Sequence, residues 1–158
     1  MKFFNAIFLL IPFLLLQTQY AETTLQPNEI TTSISIEEIE AIAKADDKRV
    51  IIKLSANWCK PCQKLSKTLE DQEIKSYLTE NFHVVEFDIQ TKESVTYKGK
   101  SYDYVDDPKM GYHALAYELL DNRLSFPALL ILDADLHKVD LTRGFKNKRQ
   151  LIEYLQAI

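Results

Sequence analysis

Hydrophobic residues follow two patterns over residues 35–158, one typical of strands and one typical of helices. Short apolar runs of strand length occur at residues 49–55, 83–89 and 128–133, and an alternating run follows at 137–142. Between these runs, apolar residues recur every three or four positions, which is typical of one face of a helix. The order strand-helix-strand-helix-strand-strand-helix predicts an α/β fold, with a mixed β-sheet and helices on both faces.

Two helix starts are marked by residues that commonly cap helices. Ser35 and Glu38 form a capping box, which predicts a helix over about residues 36–45. Asn147 predicts the start of a final helix over residues 148–157. The last two predicted strands are separated by only a short turn, so they are expected to pair antiparallel.

The segment before the third strand is rich in tyrosine. Residues 95–97 and 101–105 alternate around a turn that contains Gly99, and this pattern predicts a small hairpin. A helix is expected to follow at about residues 112–120. Two interpretations of the tyrosines stay open: they cover a small core of this segment, or they line a surface that binds a partner. The tyrosines concerned are Tyr97, Tyr102, Tyr104 and Tyr112.

Residues 1–21 predict a signal peptide. Lys2 is followed by an apolar run that is too short to span a bilayer comfortably. Cleavage is expected after Ala21, and an uncleaved membrane anchor is the alternative. Either way we expect export, to the periplasm or as a secreted protein. Residues 22–34 are polar and lack periodicity, which predicts a flexible linker before a domain over residues 35–158.

Length and charge narrow the classes of function. With 158 residues, 46% of them apolar, the chain is long enough for one sizeable core and too short for two ordinary domains. No internal repeat or low-complexity tract divides it. Its formal net charge of −4 gives no basic footprint, so no nucleic-acid partner is expected.

The only two cysteines, Cys59 and Cys62, stand between a predicted strand and a predicted helix over residues 63–70. Two intervening residues let both sulfurs lie in the first helical turn, close enough for a disulfide. The helix N-terminus favours a thiolate there, through unpaired N–H groups and the helix dipole. We expect Cys59 to be the exposed attacking nucleophile and Cys62 to be the less exposed resolving thiol.

Two other uses of the cysteine pair compete with redox chemistry. A zinc site needs four ligands, but there is no second cysteine pair, and the three histidines lack ligand spacing. The second alternative is a purely structural disulfide. The presence of Trp58 before the pair and of Pro61 within it argues against this alternative. No metal is expected, and a redox-active pair is favoured.

Two motifs resemble the thioredoxin superfamily. Trp58-Cys59-Lys60-Pro61-Cys62 after a hydrophobic strand resembles its active site. The run over residues 125–133, which contains Phe126-Pro127, resembles its cis-proline loop and the strand that follows. The resemblance covers about residues 36–158 and implies a thioredoxin fold, a central mixed β-sheet with helices on both faces. Residues 91–110 then form an insertion before the cis-proline loop, since a minimal thioredoxin has a shorter connection there.

The resemblance implies a thiol–disulfide oxidoreductase without an organic cofactor, because the disulfide itself carries the electrons. Its substrates are expected to be cysteine-containing proteins, each bound as an extended segment flanked by Trp58, Phe126 and Pro127. The backbone of Phe126 is expected to pair with that segment like an added strand. A thiol electron donor or acceptor of unknown identity completes the cycle, and a membrane contact is expected only through an uncleaved signal anchor.

Two charged positions depart from the family pattern. The buried aspartate that thioredoxins usually carry six residues before the first cysteine is Lys53 here, and the lysine often found on the neighbouring strand is Glu86 by register. One interpretation is an exchanged ion pair behind Cys62, in which Glu86 accepts the proton of that thiol. The other is that Lys53 extends its ammonium group out of the sheet and Glu86 is solvated.

The residues between the cysteines bear on the direction of electron flow. Pro61 resembles reducing thioredoxins, whereas Lys60 replaces their usual glycine and places a cation beside Cys59. A stabilised thiolate makes a couple more oxidising. We expect a reductase or exchange enzyme, since the helical insertion domain of the strong oxidants is missing. The alternatives are a disulfide isomerase or oxidase, and a protein-binding module whose disulfide is not catalytic.

Overall fold

The protein structure, a computed structural model, describes residues 35–158. Five α-helices and eight β-strands follow one another in this part of the chain. In chain order the elements are α1 (Ile39–Asp46), β1 (Arg49–Ser55), α2 (Lys60–Leu69), α3 (Gln72–Asn81), β2 (Phe82–Asp88), β3 (Val95–Tyr97), β4 (Lys100–Tyr102), β5 (Tyr104–Val105), β6 (Tyr112–His113), α4 (Ala114–Leu119), β7 (Ala128–Leu132), β8 (Lys138–Arg143) and α5 (Lys148–Ala157).

Four of these strands form the central sheet, in the order β2-β1-β7-β8. β1 and β2 are parallel, and the other neighbouring strands are antiparallel, which confirms the predicted mixed sheet. The two inner strands are covered on both faces: β1 is buried from Val50 to Ser55, and β7 is buried along its whole length. Strands covered on both faces are expected to be apolar without interruption, so the lysine within β1 is exceptional.

Helices cover both faces of the sheet. On one face, Ile39 of α1 and Leu115 of α4 pack in a core with Ile52. On the other face Ile51 lies in a second core, because successive side chains of a strand point to opposite faces. The helices α2, α3 and α5 contribute Leu65, Ile74, Leu78, Leu151 and Leu155 to that core, and β2 and β7 contribute Phe82, Leu129 and Ile131. The predicted fold class is therefore confirmed.

The predicted cap at Asn147 is present, whereas the Ser35–Glu38 box closes a turn before α1, whose own N-cap Glu38 has no side-chain cap bond. Ser35 and Glu38 exchange hydrogen bonds of 2.9 and 3.3 Å between their side chains and backbone N–H groups, although α1 itself begins only at Ile39. The side chain of Asn147 caps α5, and Gln150 completes a capping box. The side chain of Asn147 satisfies an N–H group that has no partner within the helix.

The predicted hairpin is correct in its first half. β3 and β4 pair around Lys98 and Gly99, whose φ angles are 50° and 72°. Positive φ at both central residues is what a tight two-residue turn of this kind requires. The second arm is shorter than expected, because Tyr104 and Val105 leave the hairpin and pair with β6 in a separate ribbon.

His113 decides where α4 begins. Its backbone N–H donates to the Ile89 carbonyl at 2.6 Å, and its ring Nδ1 accepts the Leu115 N–H at 3.2 Å. Burial lowers the pKa of His113, which keeps the ring neutral and able to accept that bond. The prediction of a helix from residue 112 is therefore wrong at its start, because Tyr112 and His113 form β6 instead.

The tyrosines of this segment divide between core and surface. Tyr97 and Tyr102 are buried in the same core as β1, and burial raises the pKa of Tyr97 to about 12. Tyr104 and Tyr112 are half-buried. The core interpretation is confirmed for the first pair, with one correction: these two rings join the main core rather than a separate small one.

The signal peptide predicted over residues 1–21 and the linker predicted over 22–34 lie outside the described residues. Among the helices of residues 35–158, none has the length and apolar character needed to cross a membrane. The expectations of export and anchoring rest on the N-terminal residues and stay predictions.

Gly111 leaves room for the ring of Tyr104. A Cβ atom at residue 111 would lie 1.6 Å from Tyr104 Oη, and the backbone of Gly111 lacks a positive φ. We therefore expect Gly111→Ala to displace the ring, and to lower the free energy of unfolding by about 1–3 kcal/mol, the usual cost of overpacking. Urea denaturation measures this loss.

The matched control is the same change in a Tyr104→Ala background. There the added methyl group meets no ring, and Gly111→Ala should lower the free energy of unfolding by less than about 0.5 kcal/mol. An equal loss in both backgrounds would show that the backbone, and not the tyrosine ring, requires glycine at residue 111.

Candidate thiol–disulfide site

The two cysteines form a disulfide at the N-terminus of α2. Their Cα atoms are 5.2 Å apart. Cys59 is the N-cap of the helix, and its Sγ accepts the backbone N–H of Cys62 at 3.2 Å. The sulfur of Cys59 thus occupies the place of a capping oxygen, where the N–H groups of a helix start favour negative charge.

Both sulfurs are covered, which corrects one expectation. The exposed fraction is 4% for Cys59 and 2% for Cys62, so Cys59 is not the exposed residue that its position suggested. Its side chain turns towards the first helical turn and packs in the core on the α1 face of the sheet. The intervening Lys60 and Pro61 are exposed instead.

Trp58 forms the open side of the site. It is 55% exposed, and its ring packs edge-on against Phe126 with 5.5 Å between the ring centroids. Its indole Nε1 donates to Gln90 Oε1 at 2.6 Å. The Gln90 backbone in turn donates to the Asp88 carboxylate at 3.0 Å, and this carboxylate also accepts from the Asn57 side chain at 3.2 Å.

Sequence reasoning missed Asn57, Asp88 and Gln90. Asp88 and Gln90 follow or end β2, a strand parallel to β1. Polar residues at the carboxyl ends of adjacent parallel strands meet at one edge of a sheet, and that signal was available in the sequence.

The Phe126-Pro127 bond is cis, as the resemblance implied. Pro127 is buried, and its carbonyl accepts the Gly144 N–H at 2.7 Å. Phe126 is half-buried, and within residues 35–158 no backbone hydrogen bond engages it. The backbone of Phe126 therefore remains available to an added strand.

Lys53 and Glu86 form the ion pair that the register suggested. They are direct neighbours on β1 and β2, and the Lys53 ammonium donates to Glu86 Oε1 at 2.7 Å. The two side chains differ sharply in exposure, with 4% for Lys53 and 60% for Glu86. The pair thus reaches from the inside of the sheet to solvent. The alternative is wrong for Lys53, whose ammonium group stays buried, and correct for Glu86, which is solvated.

The Lys53 ammonium is connected to the turn that holds Cys62. It donates to Ser66 Oγ at 2.5 Å, and that hydroxyl donates to the Cys62 carbonyl at 3.1 Å. Glu86 accepts a further bond from Ser55 Oγ at 2.9 Å. Ser55 and Ser66 were missed by sequence reasoning, because a serine in a strand or helix carries no signal of its own.

No three His, Cys, Asp or Glu side chains of the described residues come together as a cluster that could hold a metal ion. The site contains a disulfide at a helix start, an exposed cation beside it at Lys60, an aromatic pair, and a buried ammonium behind α2.

Comparison with known proteins places the chain in a family. A family model described as a thioredoxin-like domain matches residues 36–158. No curated protein sequence matches the chain.

Many solved structures are similar to this chain, and they include a disulphide isomerase and a thioredoxin. The disulphide isomerase of Xylella fastidiosa Temecula1 is 18% identical, with a TM-score of 0.57 over 77% of this chain and 86% of its own. Thioredoxin-2 of a malaria parasite, described as a component of a protein secretion machinery, is 14% identical, with a TM-score of 0.49 over 71% of this chain and 84% of its own. The first of these likenesses shows the fold, and the family match covers the whole described domain. The chain therefore belongs to the thioredoxin-like domain family, and its Cys59–Cys62 pair stands at disulfide distance within the matched residues.

Proposed function

We propose that this protein is a thiol–disulfide oxidoreductase that reduces or exchanges disulfides of protein substrates in an extracytoplasmic compartment. The observation that carries the proposal is the Cys59–Cys62 disulfide, capped on the start of α2 and bordered by Trp58 and Phe126. Helix-start cysteines have a lowered thiol pKa, and this makes them good nucleophiles and good leaving groups.

The reducing half-reaction passes two electrons to the substrate. The Cys59 thiolate attacks one sulfur of a substrate disulfide, and the other substrate sulfur leaves as a thiolate that takes up a proton. The Cys62 thiol then loses its proton and attacks Cys59 Sγ, so that the first substrate sulfur leaves in turn. The products are a substrate dithiol and the Cys59–Cys62 disulfide, which an external thiol donor reduces again by the same exchange.

Substrate binding is assigned to the edge of the site that carries Trp58, Phe126 and Pro127. A cysteine-bearing segment in extended conformation can bond to the free backbone of Phe126, as a strand added to a sheet edge does. The exposed ring of Trp58, packed against Phe126, offers apolar contact to the same segment. Since the sulfurs themselves are covered, the segment has to displace side chains at this edge before it can react.

A reductase or exchange enzyme is the direction we propose, with an isomerase or oxidase as the alternative. Pro61 between the cysteines favours the first, and the exposed Lys60 ammonium beside Cys59 favours the second. The reduction potential of the Cys59–Cys62 couple distinguishes the two directions, because about −270 mV is typical of thioredoxin and about −120 mV of a strong oxidant. Equilibration with glutathione buffers, followed by alkylation and mass spectrometry, measures it.

Export is part of the proposal because residues 1–21 have the pattern of a signal peptide. A redox-active protein with only two cysteines is compatible with an oxidising compartment. N-terminal sequencing of the protein purified from its native cells tests the point. A start at residue 22 is expected, and an intact Met1 in the soluble fraction would contradict export.

The first test concerns the nucleophile. In the reduced protein, Cys59 is expected to react with iodoacetamide before Cys62, because it caps the helix and receives the Cys62 N–H. Its thiol pKa should lie below the free value of about 8.5. Peptide mapping after short alkylation across a pH series measures both properties. Faster labelling of Cys62 would reverse the two roles.

The second test separates catalysis from binding alone. With dithiothreitol as donor, the wild-type protein should reduce insulin, while Cys59→Ser should show only the background rate of the donor. Cys62→Ser should accumulate a mixed disulfide through Cys59, because the resolving thiol is missing. Absence of wild-type turnover would leave a protein-binding module whose disulfide is not catalytic.

The third test concerns the ion pair behind α2. We propose that Glu86 accepts the proton that Cys62 loses, through water, and that Lys53 tunes this transfer. General base catalysis contributes about 10²–10⁴-fold, so Glu86→Gln is expected to slow release from the mixed disulfide by at least about tenfold. Lys53→Met is expected to change the pH dependence of this rate, and the double variant should show less than the sum of both effects.

The matched control for this test is Glu80→Gln, which removes an exposed carboxylate at the end of α3 that precedes β2. It should leave the rate unchanged, and thermal unfolding should show that every variant keeps its fold. Wild-type kinetics of Glu86→Gln from about pH 6 to pH 9 would show that the carboxylate only holds Lys53 in place.

A further inference from the structure

Three lysines form a line along the exposed face of α2. Lys60, Lys64 and Lys67 are four and three residues apart, so they lie on the same side of the helix and are all exposed. The opposite side buries Cys62 and Leu65. We call Lys60, Lys64 and Lys67 the lysine stripe. It begins beside the disulfide and extends for about 10 Å, since each helical residue rises about 1.5 Å.

The lysine stripe has no compensating charges. Within residues 35–158 none of its ammonium groups forms an ion pair. By contrast, Lys148 at the start of α5 lies within 2.9 Å of both Asp71 and Glu73. The first turn of α2 contains no acidic residue.

Lys60 and Lys64 oppose the stability of the helix, whereas Lys67 lies in the last turn, where the helix dipole favours a cation. Lys60 stands at the positive end of the helix dipole, where a cation is unfavourable. Lys60 and Lys64 also repel each other across one turn, at a cost of a few tenths of a kcal/mol in typical helices. The chain as a whole is acidic, with a net charge of −4, so the stripe is a local exception. Uncompensated charge next to a reactive centre indicates a role in binding.

We propose that the lysine stripe binds acidic residues that flank the reactive disulfide of the substrate protein. The proposal rests on the oxidoreductase function, because the same substrate segment has to reach Cys59. An extended chain covers about 10 Å in three residues. Acidic residues within about three or four positions of the substrate cysteine therefore meet the stripe while that cysteine reacts.

The position of the stripe favours a protein segment over a lipid surface or a nucleic acid. A large anionic surface seated on Lys60 would also cover the neighbouring Trp58 and keep the substrate from the sulfurs. A short acidic segment contacts the stripe and the sulfurs together. Because the three lysines are solvated, the attraction acts on the association rate and on selectivity more than on affinity, and it weakens with salt.

Peptide substrates test the proposal. Three synthetic peptides, each with one intramolecular disulfide, carry aspartate, serine or lysine at the positions that flank the cysteines. The second-order rate constant for their reduction by the pre-reduced full-length protein is measured by quenched flow. The aspartate peptide is expected to react about tenfold faster than the lysine peptide at low salt, as in other electrostatically steered associations. The ratio should approach one in high salt, where the Debye length falls to about 3 Å.

Charge reversal locates the effect. The double variant Lys64→Glu/Lys67→Glu should lose the preference for the aspartate peptide and favour the lysine peptide. The matched control Lys44→Glu/Arg49→Glu changes the net charge equally, but at the opposite end of β1 from the disulfide. It should keep the wild-type order of the three peptides. Loss of that order in the control would assign the effect to net charge and overturn the proposal.

The outcomes separate this proposal from the function on which it rests. Equal rates for all three peptides would overturn the role of the stripe and leave the oxidoreductase intact. Failure to reduce even the serine peptide would overturn both. Binding of the wild-type protein to vesicles of anionic phospholipid, lost in Lys64→Glu/Lys67→Glu while the peptide order persists, would assign the stripe to lipid and overturn the proposal.

Discussion

The site depends on one constraint: β1 is hydrogen-bonded on both sides and ends four residues before Cys59. A parallel neighbour brings its carboxyl end to that edge of the sheet, and an antiparallel neighbour brings its amino end there. β2 therefore delivers Gln90, and β7 delivers Phe126, to the side of Trp58. Residues distant in sequence meet near the disulfide because the directions of β2 and β7 bring their ends to the same edge of the sheet.

The same central strand carries the least expected side chain of the fold. A buried ammonium group is costly unless it is paired and hydrogen-bonded. Lys53 meets this condition with one partner from α2 and one from β2. Its carboxylate partner lies largely in solvent, so the desolvation cost falls mainly on the lysine. The apolar centre of β1 thus keeps this group behind α2, in contact with Ser66 of that helix.

Two features of helix α2 act on the charge of the sulfurs in the same direction. Its start holds the disulfide where negative charge is favoured on the reduced sulfur, and its exposed face carries uncompensated lysines. Both features raise the local positive potential, and positive potential in general favours a thiolate over a thiol. The helix is kept in place by its buried face, with Leu65 in the core on one side of the sheet. Packing of this buried face thus stabilises α2, whereas the charges of Lys60 and Lys64 do not.

Much of the fold followed from local patterns. The strands within the sheet have short apolar runs with sharp ends, and the cap at Asn147 has a distinctive side chain. The cysteine spacing and the residues around Pro127 indicated the family, because their chemistry depends on neighbours close in sequence. The pairing of Lys53 with Glu86 also followed, since the register of two parallel strands can be counted from their apolar runs.

Only the tertiary structure decided the rest. The ribbon of β5 and β6 pairs Tyr104 with His113, and His113 also bonds to Ile89, a contact between residues far apart in the chain. The cover over Cys59 depends on which side chains surround the helix start, and position in the sequence alone suggested exposure. Gln90 reaches Trp58 only through the parallel alignment of β1 and β2. Local sequence determines periodicity and capping, whereas burial and side-chain partners depend on long-range packing.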